Sequence, residues 1–151
     1  MFQIEVKEKG AQPVLFVRTV TEISLLHTIV EETEKRIKKY IKEAGGKAID
    51  IPYSRYHKND QTEVDIEIGI PVSSKIPGKG EIRSMVIPEG KYVVARYTGP
   101  YKEMDRAYEG ILRWIYEEDL KPTGPYYGYF YESDETIPKF ELTAKLIVPV
   151  E

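Results

Sequence analysis

The sequence contains no cysteine. Disulfides, thiol nucleophiles and thiolate metal sites are therefore all excluded. Histidine is scarce as well: His27 and His57 are the only two, and they lack metal-ligand spacing. No HExxH motif, phosphate-cradling glycine loop or GxSxG elbow is present, so neither a metal, a cofactor nor a catalytic triad is expected. Charge of one sign is not in excess, with 22 basic and 25 acidic residues. That balance is not the footprint of a direct nucleic-acid binder. No apolar run approaches the roughly 20 residues of a membrane span. The first residues, MFQIEVKEKG, carry acids and no apolar core, so they do not read as a signal peptide. The expectation is a cytoplasmic protein with no membrane association.

Tyrosine, by contrast, is abundant, with 12 residues beside a single tryptophan, Trp114. The 151 residues correspond to one domain. A chain of this length buries roughly 68–70% of its unfolded surface and needs no covalent staple.

Residues 3–7 and 13–18 read as strands. Ile23, Leu26, Val30, Ile37, Ile41 and Ala44 then recur at helical spacing, with Thr19 or Thr21 as cap and Gly45-Gly46 as terminator. Glu31–Lys35, Glu32–Arg36 and Glu34–Lys38 are spaced i,i+4 on the outer face, so the basic run 35–42 reads as a solvated surface. Strands are expected at about 49–57 and 62–70, where Ile66, Ile68 and Ile70 alternate with Asp65 and Glu67. Residues 73–80 form a Ser/Gly/Pro connector. The second half reads as strands at 81–87 and 91–97, then a helix from Pro100 carrying Tyr101, Met104, Tyr108, Ile111 and Ile115. Strands at 126–132 and 140–148 close it.

The two halves resemble each other. IPYSRYH (51–57) matches GPYYGYF (124–130), and GIPV (69–72) matches IVPV (147–150). The fold class expected is α+β: duplicated β-α-β-β units, each with antiparallel strands and one helix. The single domain 1–151 would divide into repeat one at about 1–72 and repeat two at about 80–151. Each unit has one sheet face that its helix leaves uncovered, and a ligand cleft is expected where the units meet.

Six segments carry a family likeness: PVLFVR, RYH, VDIEIGIPV, ARYTGPYKEMDRAYEGILRWI, LKPTGPYYGYF and LIVPV. In this order they resemble the GyrI-like small-molecule-binding domain, also called the AraC-type effector-binding domain. The resemblance implies a duplicated β-α-β-β fold with a central ligand cleft. In the family this domain often sits behind a DNA-binding helix-turn-helix module and senses effectors, and this chain looks like a stand-alone member of the family. Free-standing members are linked to toxin or drug sequestration, and some resemble hydrolases of strained cyclopropane compounds.

Glu67 lies four residues before Pro71, and Lys145 four before Pro149. These are equivalent places on equivalent strands, opposite the helix. The family commonly has an acid at the second place; here it holds Ala144-Lys145. This departure counts against binding of lipophilic cations and against catalysis by that carboxylate. A carboxylate in a dry aromatic pocket is costly unless a cation compensates it. Lysine opposite would do so and shift preference to neutral or anionic ligands. Tyr56, Tyr127 and Tyr129 are assigned to the cleft by the repeat alignment. Tyr97 and Tyr101 flank its entrance, and Trp114 sits at the edge of the second helix stripe.

Three functions are therefore expected in order. The first is a sensor or sequestering protein for a hydrophobic or amphiphilic drug-like molecule. The second is a hydrolase with Glu67 as the candidate catalytic acid or base and a tyrosine phenol as helper. The third is an inhibitor that binds a protein target such as DNA gyrase.

Overall fold

Strict alternation in residues 62–70 forms a strand with Ile66, Ile68 and Ile70 at most 1% exposed. The computed structural model describes residues 2–60, 62–100, 103–131 and 141–151, with backbone alone for Phe2, Asn59, Tyr131, Glu141 and Leu142. The expected strand positions 132 and 140 lie outside the described residues, as does Tyr101.

The chain forms two compact units, Gly10–Glu89 and the combination of Met1–Lys9 with Gly90–Glu151. The architecture is α+β in each. The 10–89 unit contains β2 (Gln12–Glu22), α1 (Leu26–Glu43), β3 (Tyr53–Asn59), β4 (Glu63–Pro71) and β5 (Arg83–Ile87). Its strands lie side by side as β3-β4-β2-β5, each pair antiparallel. The other unit contains β1 (Phe2–Lys9), β6 (Gly90–Pro100), α2 (Met104–Glu117), β7 (Tyr127–Tyr131) and β8 (Glu141–Pro149). Its order is β1-β6-β8-β7, again antiparallel.

These groupings differ from the boundaries at about 1–72 and 80–151. β1 pairs with β6 along its whole length, from Phe2↔Tyr97 to Lys9↔Gly90. β5 pairs back onto β2, from Gln12↔Ile87 to Phe16↔Arg83. The physical reason is edge occupancy. Only Gly10 and Ala11 separate β1 from β2, which suggests a hairpin, but both edges of β2 are already taken by β4 and β5. β1 satisfies its backbone groups on the open edge of β6 instead.

Each helix covers one face of its own sheet. Ile37 and Ile41 of α1 pack on Leu15, Val17, Ile66 and Ile68. Ile111 and Ile115 of α2 pack on Val93, Ala95, Leu146 and Val148. The threonine cap is not used: Thr19 and Thr21 belong to β2, which runs on to Glu22↔Glu63. A short 3-10 turn at Ile23–Leu25 leads into α1 without a side-chain cap, and Ile23, in that turn rather than in the helix, is 42% exposed. Pro100 ends β6, and α2 starts at Met104.

Both helices end alike. The Gly46 N–H donates to the Ile41 carbonyl and the Gly45 N–H to Lys42, with Gly45 at φ 73°. In α2 the Leu120 N–H donates to Ile115 and the Asp119 N–H to Tyr116. This is the Schellman arrangement, which places its turning residue in the left-handed region. In α2 that residue is Asp119, at φ 56°.

Candidate ligand-binding site

The alternation that points Ile66 and Ile68 at α1 points Glu67 to the other sheet face. Even there Glu67 is only 3% exposed. A buried carboxylate without partners is expensive. Here the partners come from β3. The Tyr53 hydroxyl donates to Glu67 Oε2 at 2.5 Å. His57 Nε2 lies 2.8 Å from Oε1, and Arg55 Nη1 stands 3.6 Å from the same oxygen. Hydrogen bonds with a charged partner are among the strongest available to a side chain.

Local backbone features set this geometry. Arg55 is directly opposite Glu67, and Tyr53 opposite Gly69. A β-carbon on Gly69 would sit 2.5 Å from the Tyr53 ring, so only glycine lets that ring lie across β4 toward Glu67. The pairing shifts between Tyr56 and Lys58, leaving His57 as the extra residue of a bulge. Bulges re-aim side chains in this way.

On the same face Arg18, opposite Glu67, makes a forked contact to Asp65, Nε–Oδ1 3.0 Å and Nη2–Oδ2 2.9 Å. The Arg18 hydrogen bond holds the Asp65 carboxyl below its usual range and raises the guanidinium in turn.

Other expected site residues divide by face. Tyr56 is opposite Ile66 and packs against the core under α1, so it does not share a face with Glu67. The correction has a simple cause: with a period of two, a slip of one residue reverses the face. Matching IPYSRYH to GPYYGYF pairs Tyr56 with Tyr129, whereas the strand register pairs Arg55 with Glu67 and Tyr129 with Lys145. Tyr97 is likewise on the helix side, buried among Ala95, Ala107 and Leu146, with its hydroxyl donating to the Pro100 carbonyl at 2.7 Å. Trp114 packs half-buried against the same core.

In the 90–151 unit, Lys145 and Tyr129 are cross-strand neighbours, and the ammonium stands 4.9 Å from the ring centroid. That is within cation–π range. Tyr127 is opposite Ile147 on this face and is 6% exposed.

Sequence reasoning missed Tyr53, Arg55 and His57. Counting cross-strand partners backwards from Glu67 would have found the first two. The bulge that turns His57 inward leaves no mark in the composition.

The model of the GyrI-like small molecule binding domain matches residues 2–151. The chain belongs to this family. Nothing among the curated proteins matches this GyrI-like domain in sequence. Among solved structures it is similar to EcmrR. Against the EcmrR–DNA complex the TM-score is 0.80 at 19% identity, with 99% of this chain matching 57% of that one. The GyrI-like domain thus spans just over half the length of that chain. Against the EcmrR C-terminal domain alone the TM-score is 0.78 at 21% identity, covering 100% of this chain and 98% of that one. SAV2435 bound to tetraphenylphosphonium gives 0.57 at 12% identity, covering 99% and 94%. A hydrolase from Listeria innocua gives 0.70 at 13% identity, covering 99% and 92%. Among the described residues no helix is long and apolar enough to cross a membrane.

Proposed function

We infer that this GyrI-like domain captures amphiphilic drug- or toxin-like molecules, as a sensor or a sequestering protein, on the sheet faces that α1 and α2 leave uncovered. The observation that carries this reading is the buried Glu67 carboxylate, fixed by Tyr53, His57 and Arg55. A few convergent polar groups in an apolar, aromatic setting are the usual composition of a small-molecule site. On the uncovered face of the 90–151 unit the corresponding groups are Tyr127, Tyr129 and Lys145; Tyr56, Tyr97 and Trp114 serve the cores beneath the helices. Likeness to a domain of EcmrR, which is solved on DNA, and to SAV2435, solved with a lipophilic cation, supports a regulatory or drug-handling role.

The test is titration with tetraphenylphosphonium and with neutral and anionic aromatic compounds, followed by amide NMR. Shifts should concentrate at residues 53–57, 65–69, 127–129 and 145. Shifts confined to other residues, or none with any compound, would refute the reading.

Hydrolysis is the second reading. Tyr53, Glu67 and His57 form a continuous hydrogen-bonded array, the arrangement that general acid–base catalysis uses. A strained cyclopropane electrophile should then be consumed, and Glu67→Gln should abolish turnover. Equal rates with and without protein would remove this reading.

A further inference from the structure

Among the described residues, no strand pairs with the outer edge of β1, which lies beyond β6. Such an edge presents a row of backbone N–H and C=O groups ready to pair with another strand. Proteins commonly block that pairing with a proline, a bulge or lysines. β1, FQIEVKEK, has no proline, and its ladder to β6 runs from Phe2↔Tyr97 to Lys9↔Gly90 without a register shift. Its charges are of both signs. Val6 is 41% exposed, whereas Ile4, on the same face, packs against the core under α2.

Two copies of one strand pair antiparallel about a two-fold axis. Directly opposite residues share a face, and the face alternates along the strand. The axis therefore passes through a residue that is opposite itself. Centring on Glu5, Lys7, Glu8 or Lys9 sets like charges opposite each other, which is destabilising. Centring on Ile4 or any earlier residue brings no opposite charges together. Centring on Val6 sets Glu5 of each copy opposite Lys7 of the other. Within one chain Glu5 and Lys7 share a face and stand 3.3 Å apart, with both side chains at least half exposed. Each is thus open to a cross-strand partner on that face. On the other face the axis brings the two exposed Val6 side chains together beside Ile4. β5, the edge strand of the 10–89 unit, reads RSMVI; it carries no acid and has no such self-complementary register.

We propose that β1 is a homodimerisation edge, on which a second copy of this chain pairs antiparallel along residues 3–9 with Val6 on the two-fold axis. The partner is identified by the complementarity of the strand's charges with themselves. Such a contact is isologous and closes at two copies. It goes beyond the small-molecule reading above and does not depend on it.

Sedimentation equilibrium of the full chain, from micromolar to millimolar concentration, tests this. Wild type should show a monomer–dimer equilibrium that salt weakens, because the charge pairs are exposed. Glu5→Lys and Lys7→Glu each turn both cross-strand pairs into like-charge pairs. Each should raise the dimer dissociation constant about ten- to a hundredfold. Mixed one to one, the two variants should recover the dimer as a heterodimer, since opposite signs again meet across the axis. The double variant Glu5→Lys/Lys7→Glu should recover it as a homodimer. Circular dichroism and urea midpoints check that each variant folds. A wild type that is monomeric throughout overturns the second copy as the occupant of this edge. A dimer that neither single variant weakens overturns it too, because the contact then lies elsewhere. A mixture that dimerises no better than the single variants does the same, because the register is then wrong.

Discussion

The Tyr53 hydroxyl reaches Oε2 of Glu67 at 2.5 Å because the Tyr53 ring lies over Gly69, two residues along the neighbouring strand. Removing the hydroxyl in Tyr53→Phe leaves a buried carboxylate oxygen without its donor. The expected loss is about 1.5–3 kcal/mol of folding stability, the range for hydrogen bonds to charged groups. Urea denaturation checks it; an unchanged midpoint would show that the contact contributes nothing net.

Gly69→Ala should act through the same contact. The new β-carbon would collide with the Tyr53 ring and push the phenol off Glu67. Loss of stability is expected, and the effect should be strongly non-additive with Tyr53→Phe, since neighbouring residues couple. A double-mutant cycle measures this, and strict additivity would contradict the geometry.

Glu67→Ala should be the more damaging change. It leaves the guanidinium of Arg55, whose side chain is 11% exposed, beside an emptied anion position. Breaking a buried ion pair from one side costs about 3–5 kcal/mol. The exposed Arg18–Asp65 pair offers the contrast. Arg18→Ala should cost at most about 1 kcal/mol despite its better geometry. Equal losses from both variants would show that burial is not what separates them.

Acid should act on Asp65 in a definite direction. Its carboxyl is held low by the Arg18 hydrogen bond. The stability it contributes is present above the unfolded value of about 3.9 and is lost as pH falls through the lower folded value. Between about pH 5 and pH 2, wild type should therefore lose more stability than Asp65→Asn. Urea midpoints across that window decide it, and parallel curves would contradict the shift.

Asp119→Gly should stabilise the protein. Asp119 holds φ 56° at the end of α2, where α1 has Gly45 at φ 73°. A residue with a β-carbon pays roughly 1 kcal/mol in that region, less for aspartate than for most. A rise of a few tenths to about 1 kcal/mol in thermal or urea unfolding is expected. A fall would mean that the Asp119 side chain contributes something the backbone does not show.

Local pattern alone determined much of this protein. Alternation marked Ile66, Ile68 and Ile70 as one face and Glu67 as the other, because a strand has a period of two. Helical spacing marked Ile37, Ile41, Ile111 and Ile115, and the ordered segments around them pointed to the GyrI-like family. Tertiary structure decided what depends on partners. The edges available on β2 and β6 sent β1 to one unit and β5 to the other. A single bulge at His57 and a one-residue difference in register replaced Tyr56 with Tyr53, Arg55 and His57 around Glu67. Neither event changes composition or periodicity, since both are settled by which backbone groups meet across strands.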